Sequence, residues 1–212
     1  MQRFIALFLS ICLTMCLILS TAQAAIIQVK KSQYQITNEY YWNSSRYYYY
    51  AFSLKNTSGY NANITVNAIF YDAKNNIIGI SKQSEVACEN GYETYWCFYN
   101  EEKFDHVSTT ISLKEDTRYE AGGQSSINLT VNKVGNKKVI LIAENIGKEA
   151  VEFLEYNILF LDANGEVLST TWGYLTSNSE GNIIAPGEIK MCEEKYSKGF
   201  SDVRVYIHGR ID

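Results

Sequence analysis

Ala68-Ile69-Phe70-Tyr71-Asp72-Ala73-Lys74-Asn75-Asn76-Ile77-Ile78-Gly79 and Ile158-Leu159-Phe160-Leu161-Asp162-Ala163-Asn164-Gly165-Glu166-Val167-Leu168-Ser169 begin 90 positions apart. Each is an apolar run that ends in an aspartate, passes through turn-forming residues and resumes as a second apolar run. Upstream of the first, Ile64, Val66, Ala68 and Phe70 fall on one face and Asn63, Thr65 and Asn67 on the other. This period of two is that of a half-buried strand. Leu154, Tyr156, Ile158 and Phe160 keep the same inward pattern in the second stretch, with Glu155 and Asn157 outward.

Working outward, the correspondence continues on both sides. Tyr50, Phe52 and Leu54 match Val139, Leu141 and Ala143 at an offset of 89, as Lys55-Asn56 matches Glu144-Asn145. A longer loop around Tyr174 to Asn182 moves the offset to 96, which places Pro186-Gly187 on Asn90-Gly91, and Val203, Val205 and Ile207 on Val107, Thr109 and Ile111. Length changes confined to loops preserve the inward face, because a one-residue slip inside a strand would turn that face to solvent. Short strands punctuated by turn signals, with no helical periodicity, predict an all-β chain. The reading is two tandem immunoglobulin-like β-sandwiches, residues 25–119 and 120–212, behind an N-terminal signal peptide, residues 1–24.

That leader is read from Arg3, the apolar run Phe4 to Leu19, and the small residues Ala22 and Ala24 in A-x-A positions. An uncleaved anchor is the alternative, since the run nearly suffices to span a bilayer. Cleavage leaves a mature chain without a membrane span, secreted or held at the cell envelope. It also leaves three cysteines, Cys88, Cys97 and Cys192. Cys88 and Cys97 are the nearest pair for a disulfide in an oxidising compartment, with three small buried thiols as the alternative.

Composition excludes some functions. A net charge of −4 with no lysine or arginine cluster argues against a nucleic-acid surface. Hydrophobic residues at 46% permit a packed core. Only two histidines are present, His106 and His208, without zinc-site spacing, and alternation puts His208 on the outward face of its strand. No nucleophile elbow or phosphate loop is present, so neither a metal, a cofactor nor an enzymatic activity is expected. Asp72 and Asp162 are expected to start tight turns by accepting backbone hydrogen bonds, with Gly165 or Asn75–Asn76 taking the positive-φ position. Asp162-Ala163-Asn164-Gly165 opens like a calcium loop but lacks its ligand ladder and closing glutamate.

The paired asparagines Asn56 and Asn145, the strand ends Ala68-Ile69-Phe70-Tyr71-Asp72 and Ile158-Leu159-Phe160-Leu161-Asp162, and Pro186-Gly187-Glu188 resemble the FxLYD-type domains. Both copies lack the leading phenylalanine, and the second lacks the tyrosine. The resemblance implies small β-sandwiches of secreted bacterial proteins, acting as non-enzymatic modules with no family-wide ligand to carry over.

Seventeen tyrosines leave more aromatics than the core needs. In Tyr47-Tyr48-Tyr49-Tyr50, alternation sends Tyr50 and Tyr48 inward and Tyr47 and Tyr49 outward. With Tyr41 and Trp42, these are the candidate contacts for a carbohydrate or protein partner at the cell surface, through rings that give area at low entropy cost. A purely structural spacer is the alternative: the second unit would then cover the aromatic patch. An extracellular hydrolase would need clustered carboxylates in a cleft.

Overall fold

The computed structural model describes residues 33–176 and 181–212. The expected leader, residues 1–24, and the apolar run from Ile26 to Val29, expected as a first strand, lie outside the described residues. Strands in chain order are β1 (Tyr34–Asn43), β2 (Tyr48–Asn56), β3 (Ala62–Tyr71), β4 (Ile77–Cys88), β5 (Glu93–Asn100), β6 (His106–Glu115), β7 (Ala121–Gly122), β8 (Ile127–Val134), β9 (Lys138–Asn145), β10 (Val151–Leu161), β11 (Val167–Tyr174), β12 (Ile183–Ile184), β13 (Ile189–Lys195) and β14 (Asp202–Ile211). The described helical content is one 3-10 turn at Gln124–Ser126.

The first half forms two antiparallel sheets, β1-β2-β5 and β4-β3-β6, and the second forms β13-β9-β8 and β11-β10-β14-β7, with β12 also on β10. Each pair of sheets encloses a core of its own. Tyr50, Phe52, Leu54, Ile64, Val66, Ala68, Phe70, Trp96 and Phe98 fill the first. Val139, Leu141, Ala143, Leu154, Tyr156, Ile158 and Phe160 fill the second. The alternation read from the sequence is therefore the core pattern in both halves. The longer loop of the second half divides what is one strand in the first: β4 runs unbroken to Cys88, which pairs with Ala62, whereas β12 separately supplies Ile184 opposite Val151.

Local chemistry is copied along with the topology. Asp72 Oδ1 accepts from the backbone N–H groups of Lys74 and Asn76, each at 2.8 Å, while Asn75 takes φ of 63°. Asp162 Oδ1 accepts from Asn164 and Glu166 at 2.8 and 2.9 Å, with Gly165 at φ of 82°. In both copies the strand register shifts immediately before the turn, at Phe70/Tyr71 and at Phe160/Leu161. Hydrogen bonds from Asn76 hold the Asp72 carboxyl below its ordinary pKa.

Deeper in the fold, Asn56 and Asn145 are wholly buried. The Asn56 amide donates to the carbonyls of Tyr60 and Cys88, both at 2.8 Å, and accepts from the Ser58 N–H and hydroxyl. Asn145 donates to Glu149 and Ile184 at 2.8 Å and accepts from the Gly147 N–H. Their own carbonyls receive the N–H groups of Gly91 and Gly187, each at 2.7 Å. Gly187, after Pro186, has φ of 76° and Gly91 has 87°, so the Pro-Gly and Asn-Gly turns fill the same left-handed position.

The three cysteines are free, which corrects the expected Cys88–Cys97 bridge. Trp96 and Phe98 point into the first core, so Cys97 between them points out of the sandwich, while Cys88 is buried inside it. Thiols on opposite sides of a sheet cannot meet the geometry of a disulfide.

Candidate functional site

The two sandwiches pack face to face through sheets that are not equivalent. The outer face of β1-β2-β5 lies on the outer face of β11-β10-β14, and Tyr40, Ala51, Leu159, Leu161 and Tyr206 are buried in the seam between them. Tyr95 stacks on Tyr206 at 5.4 Å, and the hydroxyls of Tyr40 and Tyr206 lie 3.1 Å apart. Arg204 donates to the Tyr40 hydroxyl at 2.7 Å and also to the Asn38 side-chain oxygen. Burial thus pushes the Tyr40 and Tyr95 hydroxyls well above their ordinary pKa.

Beyond the seam the sheets diverge and leave a cleft of about 530 Å³. One wall is aromatic and comes from the first sandwich: Tyr47, Tyr49 and Tyr99 pack edge-on or tilted, with centroids 5.0–6.3 Å apart. Trp42 stacks flat on Tyr49 at 4.7 Å. On the opposite side, β11 of the second sandwich contributes Trp172, which is 65% exposed and meets Tyr174 edge-on. Between these walls lie Gln83 and Glu85 from β4 and Glu155, Asn157 and Thr170 from the second sandwich. Gln83 donates to the Cys97 carbonyl at 2.7 Å and Asn157 donates to Glu155 at 2.9 Å, so both amides are held in place.

Of the four aromatic residues predicted as contacts, Tyr47 and Tyr49 line the cleft and Trp42 backs Tyr49. Tyr41 does not join them. It pairs across β1 and β2 with Tyr50, which is a core residue, so its ring lies on the other face of the sheet, 5.1 Å from Tyr50. Burial of the thiol pushes Cys97, at the edge of the cleft, up to about 11. His208 departs from the expected surface position. It does leave its own core, but the first sandwich covers it, and its side chain is 17% exposed.

Electrostatics at the inner end of the cleft are unusual. Burial, reinforced by the charge of Glu155, pushes Glu85 up from 4.5 to about 7. His208 Nε2 lies 3.8 Å from Glu85, yet burial, with a smaller contribution from nearby Arg210, lowers its pKa from 6.5 to about 4. The imidazole is therefore neutral near pH 7. Its Nδ1, 3.2 Å from the Gln124 amide nitrogen, accepts that hydrogen bond, and its other contact is with the backbone of Val86. Without a charged histidine, the acidic floor of the cleft has no cation of its own. Among the described residues lining it there is no lysine, arginine or histidine. No group of three or more metal-ligating side chains occurs among the described residues.

No family model matches the chain, and no curated protein matches it. Among solved structures, a transglutaminase from red sea bream aligns over 82% of this chain and 29% of its own, at 10% identity and a TM-score of 0.27. The C-terminal globular domain of an oligosaccharyltransferase from Pyrococcus abyssi aligns over 85% of this chain and 47% of its own, at 10% identity and a TM-score of 0.23. A calcium-binding mutant of Bacteroides uniformis beta-glucuronidase 2 aligns over 79% of this chain and 24% of its own, at 14% identity and a TM-score of 0.21. The chain thus spans less than half the length of each. The fold itself is all-β, built of antiparallel sheets, and no described helix is long and apolar enough to cross a membrane.

Sequence reading missed Trp172, Glu85 and Glu155. Glu85 and Glu155 lie on different sandwiches and meet only through the seam, so no spacing in the chain announces them. Trp172 carried a local signal: a large aromatic on a strand whose register partner, Asn157, faces outward.

Proposed function

We propose that this chain is a non-enzymatic binding module of the cell exterior, and that the cleft between its sandwiches holds a carbohydrate. One observation carries the reading: aromatic walls from both sandwiches flank a floor of amides and carboxylates. Sugars present C–H faces that stack on such rings and hydroxyls that pair with such polar groups. The volume falls within the roughly 300–1,000 Å³ usual for small-molecule sites. The leader-like residues 1–24 and the FxLYD-like strand ends support an extracellular setting of bacterial type.

The seam supports part of the spacer alternative, since it covers Tyr40 and Tyr95. It leaves Tyr47, Tyr49 and Tyr99 at the cleft, so the aromatic patch is divided rather than hidden. A hydrolytic reading rests on Glu85, a carboxyl about half protonated near neutrality beside Glu155, the combination a general acid with a carboxylate partner requires.

Affinity electrophoresis against a panel of soluble polysaccharides tests the binding reading. Retardation is expected for at least one polymer, and the joint Tyr49→Ala, Trp172→Ala variant should lose it at an unchanged melting temperature. Absence of retardation across the panel, or full retention in the variant, overturns the reading. Release of reducing ends from the bound polymer, abolished by Glu85→Gln, would instead make the cleft catalytic.

A further inference from the structure

The composition of the cleft narrows the ligand further. Its described lining holds two carboxyl groups, Glu85 and Glu155, and no basic side chain. Carboxylates drawn out of bulk water are ordinarily paired with a cation of the protein itself. Here the nearest candidate, His208, is uncharged near pH 7, and the guanidinium of Arg210 is engaged with Glu152 at 3.4 Å and Tyr119 at 3.0 Å. The tyrosine wall also accepts positive charge: at its rim, the Arg46 guanidinium sits 5.3 Å from the centre of the Tyr47 ring. Ring faces and carboxylates together form an environment that favours an organic cation over a neutral group.

We propose that the cleft selects an amine-bearing sugar, its ring faces lying against Tyr47, Tyr49, Tyr99 and Trp172 and its ammonium group between Glu85 and Glu155. This rests on the carbohydrate reading and adds the charge of the ligand to it. Glu85 fits the role because it is the group that a cation would change most. Around it stand Glu155 and Glu152 of β10, His208 and Arg210 of β14, Tyr95 of β5 and Tyr174 of β11. Burial together with Glu155 keeps it about half protonated near pH 7. An ammonium group entering between the two carboxyls stabilises the ionised form and drives off that proton.

Calorimetric titration at pH 7 with a glucosamine trimer, its fully N-acetylated counterpart and tetramethylammonium chloride tests this. The free-amine trimer should bind at least tenfold more tightly than the N-acetylated one. Glu155→Gln and Glu85→Gln should each shrink that preference severalfold while leaving the melting transition cooperative. Protein carrying Glu85 should release protons when tetramethylammonium binds, and the Glu85→Gln protein should not. Equal affinity for the two trimers overturns the charge selection and leaves the carbohydrate reading standing. Binding of tetramethylammonium as tight as that of the free-amine trimer overturns the sugar contribution, and with it the carbohydrate reading.

Discussion

The two sandwiches share almost everything that faces inward and little that faces outward. Buried asparagine, aspartate turn, register shift and left-handed glycine recur in both. Outward positions have diverged. Ile69 and Tyr71 lie half-buried on the free face of the first sandwich, whereas the equivalent Leu159 and Leu161 are buried in the seam. Thr65 forms a hydroxyl pair with Ser84, whereas the equivalent Glu155 faces the cleft. A duplicated fold keeps what its core requires, and any new property must be written on the faces the core leaves alone.

The sharpest way to break the shared part is at the asparagines. Asn56→Ala removes an amide whose four hydrogen bonds tie a loop to a strand end. It should cost about 3 kcal/mol, because the partner carbonyls stay buried. Asn145→Ala removes three such bonds and should cost somewhat less. Urea denaturation followed by tryptophan fluorescence measures both, and a negligible loss in either would separate the two sandwiches where they look most alike.

Next comes a change that has no counterpart in the first sandwich. Leu159→Ala should cost about 2–3 kcal/mol through the cavity it leaves in the seam. The matching change, Ile69→Ala, should cost clearly less because that face is uncovered. Similar losses at the two positions would mean that the seam contributes little.

Acid titration tests the pair that the seam brings together. Glu85 binds its proton more tightly in the folded chain, at about 7 against 4.5, so its contribution to stability grows as pH falls from 7 towards 4.5. His208 behaves in the opposite sense. Its folded value of about 4, against 6.5, means that the unfolded chain takes the proton first, so stability is lost as pH falls from 6.5 towards 4. The two slopes oppose each other between pH 6.5 and 4.5. Glu85→Gln should leave a chain that weakens on acidification across this window, and His208→Gln one that strengthens. Each change is on the order of 1 kcal/mol once solvent screening of the half-exposed glutamate is allowed for. Melting temperatures from pH 4.5 to 7.5 give the sign directly, and identical slopes in the two variants would refute the opposition.

The smallest effects belong to the turns. Asp72→Ala and Asp162→Ala should each lower the melting temperature slightly, since each removes two backbone hydrogen bonds on an exposed loop, with Asp72→Ala losing slightly more because the Asn76 amide also donates to it. Addition of calcium should change neither protein.

Strands, turns and inward faces were legible because each is announced by its immediate neighbours. Ile64, Val66, Ala68 and Phe70 state their face by alternation, and Asp72 states its turn by the asparagines that follow. Tyr41 was misplaced because proximity to Trp42 in the chain suggested one surface, whereas adjacent residues of a strand face opposite ways. The disulfide expectation failed for the same reason, since Trp96-Cys97-Phe98 already fixes the direction of the thiol. The seam left a fainter trace. Ile158-Leu159-Phe160-Leu161 is apolar on both faces, which is the mark of a strand covered on both sides. Which sheet would cover it was not written locally, and neither, therefore, was the meeting of Glu85 with Glu155.

Because the cleft has one wall on each sandwich, it exists only while the two remain docked. Anything that bridges Tyr49 and Trp172 must then also hold the seam shut, and the two equilibria are reciprocal. Cys97 sits where that seam opens into the cleft, so its alkylation is slowed both by a ligand that covers it and by a seam held shut. Occupancy of the cleft can thus be read as a slowing of a chemical reaction at a residue on the far side of the sheet from the core.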